Sequence, residues 1–209
     1  MNVEEMLSEI SLEVSSCTLC ELHHSRKNAV PGEGPVNSEI MFIGEGPGFH
    51  ENEQGRPFVG AAGKFLEELL SKIGLKREDV FITNVVKCRP PKNRDPQPEE
   101  VETCTKTYLD RQIQAINPKV IVTLGRFSMN LFIPNVKISN VHGKPVQVKG
   151  RLVVPMYHPA AALHQGSLRP VIENDFHLLP KLIADADKLP AAIDEEVTDE
   201  QEPKQLSLF

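Results

Sequence analysis

No stretch of this chain approaches the roughly 20 consecutive apolar residues that a bilayer-spanning helix needs, so a helical membrane protein is excluded. The N-terminus lacks a basic n-region and an apolar h-region. Met1 to Glu13 is acidic and helix-like, which is wrong for a signal peptide, and the expected location is the cytoplasm. No internal repeat occurs. No Gly-Lys-Ser/Thr follows the glycine-rich segments and no GxGxxG is present, which disfavours a nucleotide- or flavin-binding protein of doubly wound type. Cysteine is scarce at four residues, and in a reducing compartment those four are not expected to form disulfides.

What remains is an ordinary globular composition, 40% hydrophobic and 25% charged, with room in 209 residues for one sizeable core and a tail. A net charge of −6 looks wrong for a nucleic-acid binder until it is located. Residues 185–209 hold eight of the 29 acidic side chains and two of the 23 basic ones, which leaves 21 of each in residues 1–184. The body is neutral and has a basic cluster at Lys87, Arg89, Lys92 and Arg94, so charge does not exclude DNA.

Apolar residues at helical spacing predict a first helix over Val3–Val14, running into Cys17-Thr-Leu-Cys20. Four short apolar runs follow, at Glu39–Ile43, Val80–Thr83, Lys119–Leu124 and Leu152–Met156, each ending in polar, Gly- or Pro-bearing residues. Continuous runs of this length, rich in Val and Ile, suit strands buried on both faces. Helical patterns lie between and after them, at Gly63–Ile73, Glu99–Ile116, Ser128–Phe132 and Asp175–Ile183. Alternating strands and helices predict a parallel sheet covered on both faces.

Ligands of open parallel sheets bind at the carboxyl ends of the strands. That edge gathers Glu45, Asn84, Gly125 and His158, each of which taken alone reads as a cap or turn residue. Together they read as a site. The loop Gly44-Glu-Gly-Pro-Gly48, leading to Gly55-Arg-Pro-Phe-Val-Gly60, lets backbone approach a ligand closely. Phe58 within it has two readings, a core anchor or an aromatic platform for a planar ligand. The cysteines, Cys17-x2-Cys20 with the distant Cys88 and Cys104, fit either a zinc site or a [4Fe–4S] cluster.

These segments resemble the family 4 uracil-DNA glycosylases. Gly44–Gly48 with Gly55–Gly60 is similar to that family's first motif, and Thr83-Asn-Val-Val-Lys-Cys-Arg-Pro-Pro91 to its middle segment. His158-Pro-Ala-Ala161, with Ser167-Leu-Arg-Pro170, is similar to its second motif. The resemblance spans roughly residues 15 to 183 and implies a three-layer α/β/α fold around a four-stranded parallel sheet. It implies removal of uracil from single- or double-stranded DNA by a monomer, with the base flipped into a pocket. Phe58 would stack under uracil, Asn84 would read its Watson–Crick edge, and Glu51 would exclude the thymine methyl. His158 would stabilise the departing uracil anion, helped by the backbone at Gly46, and Glu45 would orient or activate water. Leu163 would wedge into the gap in the duplex, and Arg169, Lys92 and Arg94 would contact phosphates. Cys17, Cys20, Cys88 and Cys104 would hold a [4Fe–4S] cluster that ties the N-terminal helix to the segment after Asn84. His142, His164 and His177 have no such match and read as surface or structural.

Residues 1–184 thus read as the glycosylase domain, 185–204 as an acidic disordered linker and 205–209 as a separate motif. Gln205-Leu-Ser-Leu-Phe209 resembles the peptide by which bacterial replication and repair proteins dock on the β sliding clamp. Leu206, Leu208 and Phe209 would fill an apolar groove while Gln205 hydrogen-bonds its rim. Two other readings compete: a non-catalytic iron–sulfur DNA-binding or electron-transfer module, and a relative that traps itself on the abasic sugar. The second carries a basic insert with a histidine after the Asn84 strand. Here Cys88–Pro98 contains none.

Overall fold

A computed structural model describes residues 2–186. The expected linker beyond Ala186 and the Gln205–Phe209 motif lie outside the described residues.

The first helix, α1 (Val3–Ser16), opens with a capping box: Asn2 accepts from the Glu5 N–H, and Glu5 accepts from the Asn2 N–H. It buries Ile10 and Val14 and stops directly before Cys17. The four apolar runs become β1 (Ile40–Gly44), β2 (Phe81–Asn84), β3 (Val120–Leu124) and the later β5 (Arg151–Met156). All four are parallel, in the order β2-β1-β3-β5.

The sheet has a fifth strand. β4 (Val146–Val148) pairs antiparallel with β5 at the edge, which corrects the four-stranded expectation. Its Val-Gln-Val is only half-buried and too short to present an apolar run. Its register comes instead from the Lys149-Gly150 turn, where both residues have positive φ (49° and 74°). That geometry matches the right-handed strand twist of a two-residue hairpin.

Between the strands lie α2 (Phe49–Gln54), α3 (Ala61–Lys72), α4 (Pro98–Cys104), α5 (Asp110–Ile116), α6 (Arg126–Asn130) and α7 (Ile138–Val141). After β5 come α8 (Pro159–His164) and α9 (Arg169–Asp185). The single helix expected over Glu99–Ile116 is interrupted by a π turn at Thr105–Leu109, immediately after Cys104. The last helix starts six residues earlier than its apolar periodicity indicated, because Pro170 sits in the first turn, where its missing N–H costs nothing.

Side chains alternate across the sheet and build two cores. Phe42, Ile82, Val122 and Val154 pack under α3 and α9, while Met41, Ile43, Ile121 and Val153 pack under α1 and α5. The result is three layers, with the carboxyl ends of the parallel strands at one edge. No helix among the described residues is long and apolar enough to cross a membrane.

Candidate active site

The strand ends enclose a cavity of about 420 Å³ lined by Glu45, Gly46, Glu51, Phe58, Asn84 and His158, with Arg94 and His164 on its wall. A larger groove of about 630 Å³ runs beside the π turn on the other side of the sheet. None of the site residues read from the sequence lines it, and the strand-end cavity is the one that Glu45, Glu51, Phe58, Asn84 and His158 share.

Its floor depends on two glycines. Parallel pairing sets Gly44 opposite Asn84. A Cβ on Gly44 would lie 2.4 Å from Asn84 Oδ1 and 2.6 Å from the Phe58 ring, so only glycine lets these two side chains meet there. Behind them, a Cβ on Gly63 would strike the Phe58 carbonyl at 1.9 Å. Phe58 is 5% exposed and stacks on the His158 ring at 5.5 Å between centroids. It is therefore both packed and on the cavity wall. Its φ of 51° is a left-handed conformation that an aromatic residue seldom adopts. Arg77 holds it there, donating to the Phe58 carbonyl at 2.9 Å and to the Pro57 carbonyl while pairing with Glu33.

Asn84 is buried, and its Oδ1 is an acceptor with no protein partner. An orphaned buried acceptor costs about 1–3 kcal/mol, so its place on the cavity wall calls for an explanation. The segment after it is stitched to the first loop: Val85 N–H donates to the Gly44 carbonyl at 3.0 Å, and Val86 N–H to the Glu45 carbonyl at 3.1 Å.

His158 is the N-cap of α8, and its Nδ1 accepts from the Ala160 N–H at 3.1 Å. That bond leaves the proton on Nε2, making the ring a donor at its far end. Burial depresses its pKa to about 4, against a smaller opposing pull from the Glu51 carboxylate, so the imidazole is neutral at pH 7. A Cβ on Gly125 would meet His158 Cβ at 3.2 Å, so Gly125 packs beneath the histidine instead of lining the cavity.

Glu45 is half-buried, and its pKa is raised by burial and then by the Asp95 carboxylate, with Arg126 opposing. Glu51 does more than stand in the loop. Its carboxylate accepts from the Gly48 N–H at 3.1 Å and from the Val59 and Gly60 N–H groups at 2.9 Å each. It thereby ties both halves of the glycine-rich segment around the cavity. Sequence reading missed this because the donors are backbone groups.

Among the rim residues, Leu163 on α8 is 51% exposed. Lys92 is exposed in a left-handed turn. Arg94 is held in a fork by the buried Glu100 at 2.7 and 2.9 Å. Arg169 lies over the Phe65 ring and pairs with Glu68 and Glu173. His164, read as surface or structural, is exposed and also on the cavity wall. His142 is structural: Nδ1 bonds the buried Asp175 at 2.7 Å, and the ring packs on Tyr157. Lys87, counted in the basic cluster, is 1% exposed. Burial depresses its ammonium to about 8, opposed by the Cys104 sulfur.

The four cysteines line one pocket with Val14, Leu22, Val86 and Tyr108. N–H groups point at three of the sulfurs: Leu19 at Cys17 (3.5 Å), Arg26 at Cys88 (3.2 Å) and Lys87 at Cys104 (3.3 Å). Soft thiolate donors in an apolar shell with N–H···S bonds fit an iron–sulfur cluster. As placed, however, no group of three or more His, Cys, Asp or Glu among the described residues closes on a metal ion.

Fold and cavity together define a class: the model of the Uracil DNA glycosylase superfamily matches residues 31–177. Finer membership follows from individual relatives. A Type-4 uracil-DNA glycosylase of Archaeoglobus fulgidus is 52% identical over 187 residues, covering 85% of this chain and 94% of the relative. Those of Sulfurisphaera tokodaii and Saccharolobus solfataricus are 50% and 48% identical, each over 85% of this chain and over 85% and 87% of their own lengths. The chain belongs to the type-4 uracil-DNA glycosylases.

Proposed function

We propose that this enzyme flips uracil out of DNA into the strand-end cavity and hydrolyses its N-glycosidic bond, leaving an abasic site for base excision repair. The observation that carries the reading is the buried, unpartnered Oδ1 of Asn84 beside the Phe58 ring. Uracil offers N3–H to that oxygen and O4 to the amide N–H, whereas cytosine presents the reverse pattern. A mismatch that leaves buried polar groups unpaired is rejected by roughly 10⁴-fold or more. Phe58 stacks on the base, and Glu51, fixed by three backbone N–H groups, closes the side where a thymine methyl would project.

As the bond breaks, charge builds on uracil O2. The Nε2–H of neutral His158 and the backbone N–H at Gly46 stabilise that charge. Glu45, with its raised pKa, orients or activates the attacking water. Leu163 enters the duplex, while Lys92, Arg94 and Arg169 meet phosphates. Cys17, Cys20, Cys88 and Cys104 hold a [4Fe–4S] cluster. When bound, the cluster supplies a structural link joining the end of α1 to the segment after Asn84. The enzyme works as a monomer in the cytoplasm, and Gln205, Leu206, Leu208 and Phe209 dock on the β sliding clamp.

Release of free uracil from a uracil-containing oligonucleotide tests the core of this reading. Wild-type protein should release it, while Asn84→Asp and His158→Ala should each lose about a hundredfold or more, the scale of removing one oxyanion donor. No release from single- or double-stranded substrate by cluster-loaded protein would overturn it.

A further inference from the structure

Lys87 is the largest charged side chain wholly buried among the described residues, and its ammonium bonds there end on no carboxylate. Its ammonium gives its three protons to neutral oxygens: Thr83 Oγ1 at 2.7 Å, the Asn84 carbonyl at 2.8 Å and Gln112 Oε1 at 2.7 Å. All three donors of a lysine are thereby used. The acceptors are themselves fixed, because Thr83 Oγ1 donates to the Pro31 carbonyl at 3.0 Å and Gln112 Nε2 donates to the same carbonyl at 2.7 Å. The backbone of Lys87 is pinned too, through its carbonyl to the Val30 N–H at 2.7 Å and its N–H to Cys104 Sγ at 3.3 Å.

Burying an ammonium is expensive even with the Cys104 sulfur nearby, and an apolar side chain would fill the same space more cheaply. Charge-assisted bonds are about twice as strong as neutral ones, and here one of them terminates on the peptide carbonyl of Asn84. The carbonyl and the side chain of Asn84 share one Cα. With Val85 N–H bonded to the Gly44 carbonyl on the far side of that peptide, the backbone from which the Asn84 side chain departs is fixed from both directions.

We propose that Lys87 is a positioning residue for base recognition, its buried ammonium gripping the Asn84 carbonyl so that the Asn84 amide meets uracil in register. The inference rests on the reading of Asn84 as the uracil reader and adds the group that holds it.

A double-mutant cycle tests it, using single-turnover uracil release by full-length, cluster-loaded protein. Lys87→Met, similar in length and uncharged, should lose about tenfold or more, the scale of a hydrogen bond to a charged group. Its visible cluster absorption should match the wild type. In an Asn84→Ala background the same substitution should cost less than about twofold, because the amide it orients is gone. A lysine that merely supports the fold would instead lower both backgrounds equally, and that additive result, or full activity in Lys87→Met, overturns the proposal. Should Lys87→Met fail to fold, Gln112→Met removes a single acceptor of the grip and is run through the same cycle. A smaller loss that vanishes beside Asn84→Ala supports the proposal, and an unchanged or additive result overturns it. If Asn84→Ala alone releases uracil normally, the reading of Asn84 falls and the proposal with it. If Asn84→Ala is impaired and the cycle is additive, only Lys87 is reassigned.

Discussion

Two titratable groups of the cavity are pushed in directions that suit opposite tasks. Burial holds His158 neutral by lowering its pKa to about 4, while burial and Asp95 raise that of Glu45. On the acid side, kcat/KM should therefore fall as pH drops through the Glu45 pKa, which lies above its ordinary 4.5. Removing the charge at Asp95 takes away one raising influence and frees Arg126, which lowers. Asp95→Asn should then move that acid limb to lower pH, as a pH–rate profile would record. His158 also has a stability consequence. Its folded pKa lies below the unfolded value of 6.5, so the unfolded chain binds more protons between the two. The stability at stake is fully present above 6.5 and is lost as pH falls towards 4. Residue identity alone did not disclose these environments. Nothing in the sequence marks the three backbone N–H groups that close on Glu51, and Lys87 reads as part of a basic cluster until it proves buried.

Among elements, the parallel strands were the most legible, because burial on both faces demands a continuous apolar run that appears in the sequence directly. β4 was not legible, since a three-residue edge strand is specified by its hairpin turn and by the edge it covers. Nor was the π turn, which follows Cys104 inside an unbroken helical periodicity. The proposed cluster ligands sit on several elements: Cys17 and Cys20 after α1, Cys88 four residues beyond β2, and Cys104 at the end of α4. Such a link should stabilise the fold and the base reader together. Iron removal, or Cys104→Ser, should bleach the visible absorption and lower Tm by more than about 5 °C, given a shift of roughly 2–4 °C per kcal/mol at this size. Uracil release should fall in parallel. An unaltered Tm after complete bleaching would remove the structural role.

For the whole molecule, the charge is divided unevenly, with residues 1–184 neutral and the segment that follows acidic, and the clamp proposal assigns recruitment to that segment. Deleting residues 205–209 should leave uracil release from a short oligonucleotide unchanged within about twofold, because the proposed catalytic and base-reading side chains all lie between Glu45 and His158. The same deletion should abolish retention on immobilised β clamp, where the tether supplies effective concentration. Undiminished retention in a pull-down would refute the clamp reading.

The sequence by itself determined the class of fold, the sheet edge that carries the candidate site and the placing of Glu45, Asn84 and His158 there. Those features follow from local periodicity and from the rule that strand ends converge. Only the tertiary structure decided how those side chains are held. The close approach at Gly44, the left-handed Phe58 held by Arg77, the tautomer of His158, the tie at Glu51 and the buried grip of Lys87 all turn on which groups packing brings together, whether near in the chain or on a neighbouring strand. Every peptide carries the same N–H and C=O, so the sequence cannot label which of them a side chain will meet until packing brings the two together.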